Sequence, residues 1–222
     1  MAQKLKIAVI GLGNIGTIVA TNLVKGNRPV IVADRNIEKA NKLAQQLGSL
    51  AEPASIAHAI KNSDIIVLAV WFNAIKELFA TYSDELRGKL IIDPSNPIAP
   101  DEKGGFKKII DKDQSAGEIL NTILPADAKL VKALGSLSAG SLAGSAFQKP
   151  EQAVLFYAND DIHTNNDVEQ LIRDSGFDPV RIGGLDQSIR IEVFGDLHEF
   201  GALGKPVTLA QANKTLALHG VS

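Results

Sequence analysis

The stretch KIAVIGLGNIGTIVATNLV, residues 6–24, sets a short apolar run against glycines spaced G-x-G-x-x-G and then continues with helical spacing. A strand, a glycine turn and a helix in that order give each glycine a steric task. Gly11 permits a tight turn, Gly13 lets the backbone approach a pyrophosphate, and Gly16 lets the helix lie close on its strand. The N–H groups around Asn14 and Ile15, with the positive end of the helix dipole, would then meet the phosphates. The bland alternative is a glycine-rich turn that holds nothing.

Working outward, the same alternation recurs. The runs 29–34, 64–70, 89–93, 129–134 and 153–158 read as strands, and 178–183 as one more. A short strand is expected near 49–51, followed by a helix that starts at Pro53, where proline suits a first turn. Helical spacing covers 37–47, 74–82, 115–124 and 165–175, and further helices are expected over 187–203 and 206–218. Strands apolar on both faces, each followed by a helix, predict a parallel sheet covered on both sides. The expected fold is therefore α/β: a Rossmann-type doubly wound parallel sheet, with a small C-terminal helical extension. Residues 1–183 form the dinucleotide-binding domain in this reading, with 98–112 as an irregular surface loop or flap. Residues 184–222 form a C-terminal helical segment, expected to serve as a wall for the second substrate and as a dimer contact.

The chain has 222 residues, 45% hydrophobic and 22% charged, with a formal net charge of −2 and no cysteine. That balance gives no pull toward nucleic acid or an acidic membrane, and it excludes disulfides and thiolate chemistry. Lys4 and Lys6 lead into the first strand rather than into a signal peptide, and no apolar run approaches the roughly 20 residues of a membrane span. A soluble, cytoplasmic protein is expected. His58, His163, His198 and His219 are scattered without ligand spacing, so no metal site is expected.

In such sheets ligands lie beyond the carboxyl ends of the strands. Asp34 ends the second strand, where a carboxylate can accept both hydroxyls of the adenosine ribose; a helix cap is the plain alternative. Arg35 beside it could stack on adenine or pair with a 2′-phosphate. Asp34 thus leans toward NAD while Arg35 permits NADP. The fourth strand delivers Ala69, Val70, Trp71, Phe72 and Asn73 to this edge, and Trp71 and Phe72 serve either as core or as a cofactor wall. The fifth delivers Asp93, Pro94, Ser95, Asn96 and Pro97. Ser95 and Asn96 either bond the nicotinamide side or cap a turn between two prolines. No catalytic residue is evident. Hydride transfer to a second ring needs positioning and exclusion of water more than it needs a protein acid or base.

The chain resembles the F420-dependent NADP reductases and their bacterial dinucleotide-binding relatives. The resemblance rests on IGLGNIG (10–16), DIIVLAVWFNAI (64–75), IIDPSNP (91–97), LPADAKLVKAL (124–134), FYANDD (156–161), LIRDSGFDPVRIGGL (171–185) and the tract around Arg190 to Glu192. It implies a homodimer that passes hydride between NADP or NAD and a second redox partner such as F420, a flavin or another small molecule. Gly11 to Gly16 would hold the pyrophosphate, and Asp34 and Arg35 the adenosine ribose or its 2′-phosphate. Ala69 to Asn73 and Ser95 to Pro97 would flank the nicotinamide, with Leu134 to Leu137 as the far wall. The departures are Asp34 in place of a small polar residue, Trp71-Phe72 without the usual proline, and Leu134-Gly135-Ser136 in place of Phe-Asn-Thr. A carboxylate at 34 should disfavour a 2′-phosphate by like-charge repulsion. A degenerate, non-catalytic dinucleotide-binding module and a reductase of small organic substrates are the alternatives. The small residues of GSLSAGSLAGSA (135–146) and the apolar C-terminal segment underlie the expected dimer contact.

Overall fold

A computed structural model describes residues 5–102 and 104–218; Lys4 and His219 lie outside the described residues. The strands and helices alternate as β1 (Ile7–Ile10), α1 (Asn14–Lys25), β2 (Val30–Ala33), α2 (Ile37–Leu47), β3 (Ala51–Ala54), α3 (Ile56–Lys61), β4 (Ile65–Leu68), α4 (Phe72–Thr81) and β5 (Leu90–Asp93). The chain continues through β6 (Ile98–Pro100), β7 (Phe106–Lys108), α5 (Ala116–Asn121), β8 (Lys129–Lys132), α6 (Ala139–Gly144) and β9 (Val154–Asn159). It closes with α7 (Asn165–Asp174), β10 (Asp178–Arg181), α8 (Ser188–Ile191) and α9 (Leu209–Leu218).

Eight strands form one sheet in the order β10-β9-β8-β5-β4-β1-β2-β3. β1, β4 and β5 are buried throughout, so alternate residues feed opposite layers. Ile7, Val9, Ile65 and Val67 pack under α1, α2, α6 and α7, whereas Ala8, Ile10, Ile66 and Leu68 pack under α3, α4 and α5. This is the doubly wound, mostly parallel architecture expected from the apolar runs. A third cluster joins Val154 and Phe156 to Ile191, Leu197, Val207 and Leu216, which seats the C-terminal segment on β9 and β10.

Four expectations need correction. β9 runs antiparallel to β8, with Val131 opposite Asn159. A strand buried on both faces reads alike in either direction, so its hydrophobic pattern carries no polarity. Pro53 lies inside β3 rather than opening a helix; α3 is capped instead by Ser55, whose hydroxyl accepts from the His58 N–H. Because β3 is an edge strand, the missing N–H is tolerated there. Residues 98–112 contain the antiparallel hairpin β6–β7 rather than an irregular loop.

The helix expected over 187–203 lasts only from Ser188 to Ile191. Glu192 turns extended (ψ 164°) and sends its carboxylate to the Ala116 and Gly117 N–H groups at the start of α5. Further on, a Cβ on Gly195 would stand 2.3 Å from the Ile189 carbonyl oxygen. Residues 192–201 therefore form a folded strap across the sheet edge.

Candidate nucleotide and acceptor site

The strand order reverses around β1, which has β4 on one side and β2 on the other. Loops leaving β1 and β4 diverge there, opening a crevice at the carboxyl edge. Gly11 turns with φ +90°, and a Cβ on it would come within 2.4 Å of Val70 Cγ1. Gly16 is tighter still, because a Cβ there would lie 1.8 Å from the Gly11 carbonyl oxygen. Gly13 differs: nothing stands within 4 Å of a Cβ placed on it, and it caps α1 with no side-chain hydrogen bond. The first N–H groups of a 12-residue helix thus face open space beside exposed Gly13 and Asn14. A diphosphate fits this turn, since it needs backbone access and unspent donors.

Asp34 stands at the end of β2, half-buried. Its Oδ2 accepts from the Leu12 N–H at 2.9 Å and its Oδ1 from the Asn36 N–H at 3.0 Å. The carboxylate therefore braces the glycine turn from the adjacent strand. Arg35 next to it is exposed.

On the other side of the crevice, Ala69 and Val70 are half-buried and Asn73 is exposed. The two aromatic residues part company: Trp71 is 59% exposed, whereas Phe72 is 1% exposed and belongs to the core. Beyond β5, Ser95 and Pro97 are buried and Asn96 is half-buried. Asn96 donates to the Gly135 carbonyl at 3.1 Å and accepts from the Val193 N–H at 2.7 Å, so its amide ties together the ends of β5, β8 and the strap. Ser95 donates its N–H to Asp93 Oδ1 at 2.7 Å, while its hydroxyl is buried without a hydrogen-bond partner. Leu134 and Leu137 are buried.

Sequence reasoning missed the ionic groups beneath this edge. Lys132 Nζ lies 2.8 Å from Asp93 Oδ2, bonds the Ser95 carbonyl, and stands 3.7 Å from Glu192 Oε1. Burial pushes the Glu192 carboxyl up, against the pull of the Lys132 ammonium and the two α5 amides. His198 is buried with its Nδ1 accepting the Phe200 N–H at 2.9 Å, which leaves Nε2 to donate to the Gly135 carbonyl at 3.1 Å. Burial lowers its pKa from 6.5 to about 4, so the ring is neutral. Glu199 accepts from the Ser138 N–H and the Ser141 hydroxyl at the start of α6. Burial raises its carboxyl, and these bonds together outweigh that and hold it below the usual carboxylate range. The one available signal is compositional, a lysine within the strand KLVKAL and a glutamate within an apolar tract.

Among the described residues no group of three or more His, Asp and Glu side chains could hold a metal ion. Nor is any described helix long and apolar enough to cross a membrane. Two other concavities, of about 540 and 410 Å³, open at the opposite edge of β8, β4 and β1, beside Lys129 and Asp160 and beside Lys61 and Lys89.

Glycine turn, strand order and bracing carboxylate together define an NAD(P)-binding Rossmann protein. Residues 6–97 match the family described as NADP oxidoreductase, coenzyme F420-dependent. The chain is 32% identical over 115 residues to an F420-dependent NADP reductase of Methanothermobacter thermautotrophicus, covering 48% of this chain and 50% of that one. It is 27% identical over 187 residues to the metalloreductase STEAP3 of Rattus norvegicus, covering 84% of this chain and 36% of that one. The chain therefore spans about a third to a half of these curated relatives. A hypothetical protein of Sinorhizobium meliloti shares the fold with a TM-score of 0.79 and 25% identity, over 92% of this chain and 95% of that one.

Proposed function

We propose that this protein is an NAD(P)H-dependent oxidoreductase that passes hydride to a second redox cofactor or small molecule. The observation that carries this reading is the open position above Gly13, facing an uncapped helix N-terminus. Gly11, Gly13, Asn14, Ile15 and Gly16 hold the diphosphate, and Asp34 and Arg35 take the adenosine ribose. Ala69, Val70, Trp71 and Asn73 flank the nicotinamide on one side, and Ser95, Asn96 and Pro97 on the other. The nicotinamide supplies the hydride when it is bound. The chain's own part is geometric: it orients two rings and excludes water. No acid–base step is assigned to Lys132, Glu192 or His198, since each is buried and spent on internal partners.

F420 or a flavin is the proposed acceptor class, by likeness to the reductases; the metalloreductase relative adds ferric complexes to the panel worth testing. A cytoplasmic homodimer belongs to the same reading. Purified protein supplied with NADPH or NADH and then F420, riboflavin, FMN or ferric citrate should consume the reduced nicotinamide above the buffer rate. No turnover across that panel, with nucleotide binding intact, would replace the enzyme with a non-catalytic binding module.

A further inference from the structure

The chain has eight phenylalanines, one tryptophan and two tyrosines, and among the described residues the exposed rings are Trp71, Phe106, Phe194 and Phe200. Every one belongs to a segment hung on the carboxyl edge of β4, β5 or β8. Trp71 follows β4 directly, Phe106 sits in the hairpin after β5, and Phe194 and Phe200 lie in the strap. Described loops at the opposite edge of these strands carry no exposed phenylalanine, tyrosine or tryptophan. Clustered exposed aromatics on one edge mark a contact surface, whereas scattered ones need no explanation.

Within this set Phe194 is distinctive. It is 56% exposed and has φ +74°, a region that non-glycine residues seldom occupy. Such a conformation persists only where the surroundings over-determine it, and here they do. The preceding Val193 N–H is bonded to Asn96, the following Gly195 N–H to the Glu192 carbonyl, and Arg190 grips Asp196 through two nitrogens. Gly201 closes the strap so tightly that a Cβ on it would meet the Gly195 oxygen at 1.8 Å. An apolar ring is thus held out in water by a rigid frame, beside the residues that flank the nicotinamide in the proposed function.

We propose that Phe194 is a specificity-determining contact for the hydride acceptor, offering a fixed aromatic surface that favours flat unsaturated rings. This rests on reading the crevice as a hydride-transfer site. The attraction is the offset or edge-to-face packing of rings, which an aliphatic acceptor cannot match. A residue placed here for folding alone would be glycine or asparagine, which take this conformation at little cost.

The test is riboflavin binding, read by quenching of its fluorescence in the presence of NADP, on wild type, Phe194→Gly and Phe194→Tyr, with melting temperature and solution mass for each. The glycine variant should melt at or above the wild-type temperature, because it relieves the backbone, yet bind riboflavin at least about fivefold more weakly. The tyrosine variant should stay within about twofold of wild type. Riboflavin that fails to bind wild type, or binds Phe194→Gly equally well, overturns the proposal. So does a halved solution mass in the glycine variant, which would show that the ring covers a protein partner. Binding through Phe194 without hydride transfer would sink the proposed function, and with it Phe194's role toward an acceptor, leaving only a ring-binding surface; transfer with an unaffected glycine variant would overturn this inference and leave the proposed function standing.

Discussion

Gly11, Gly13 and Gly16 share one turn, yet they answer to different constraints. A Cβ on Gly16 would sit 1.8 Å from the Gly11 oxygen, an atom of the backbone that cannot swing aside. Gly16→Ala should therefore cost at least about 3 kcal/mol, visible as a large drop in the denaturation midpoint. Asp34, which braces the same turn from the next strand, has a role in ligand choice in the proposed function. Its carboxylate opposes a 2′-phosphate, so Asp34→Ser should raise the NADP-to-NAD affinity ratio by about tenfold, equivalent to roughly 1.4 kcal/mol. An unchanged ratio in calorimetric titration would show that Asp34 serves only to brace Leu12. His198 gives a pH signature. Its folded pKa of about 4 lies below the ordinary 6.5, so the unfolded chain takes up the proton first. Its contribution is complete above about pH 6.5, falls as the pH drops from there to about 4, and is then spent, a loss on the order of a few kcal/mol. The pH dependence of melting across that window should flatten in His198→Gln.

At the scale of elements, the strap and the ends of β5 and β8 are held by the Asp93–Lys132–Glu192 group. Removing one member leaves its partners charged and buried, so Lys132→Met should cost about 3–5 kcal/mol in chemical denaturation. A loss below about 1 kcal/mol would mean that water reaches these charges. The element scale also shows what a sequence discloses. The strands β1, β2, β4, β5 and β8 and the helices α1 and α2 are legible because local pattern and tertiary role agree there. Asn36 caps α2 by accepting from the Glu38 N–H. The 187–203 tract misleads because its helical spacing is real, while Glu192 is drawn out of the helix by α5, which lies far away in sequence. Long-range bonds of that kind leave no local trace. The direction of β9 is hidden for a related reason, since Leu155 and Phe156 face the two apolar layers whichever way the strand runs.

For the whole molecule, the proposed nucleotide half of the site lies in one short stretch of sequence, whereas the proposed acceptor half draws on segments far apart in the chain. The first is made by one continuous stretch, 10–16, with Asp34 at the next strand end. The second is assembled from Trp71, Asn96, Gly135 and the strap, whose proximity depends on the folded sheet. The small residues of 135–146, expected at a dimer contact, are partly spent inside the chain: Ser136, Ser145 and Ala146 are buried, and the Leu142 carbonyl among them accepts from Asn22. Light scattering at micromolar protein should nevertheless give about twice the 23.6 kDa chain mass if the proposed homodimer forms, and the single mass if it does not. The most direct test of the central claim is a calorimetric titration of NADPH and NADH into wild type and Gly13→Ala, with melting temperatures alongside. A methyl group at 13 meets no protein atom within 4 Å, so the variant should melt within a degree or two of wild type. It should also bind either nucleotide at least about tenfold more weakly, the methyl group occupying the space of the diphosphate. Equal binding by the two proteins, or no binding by wild type, would contradict the account.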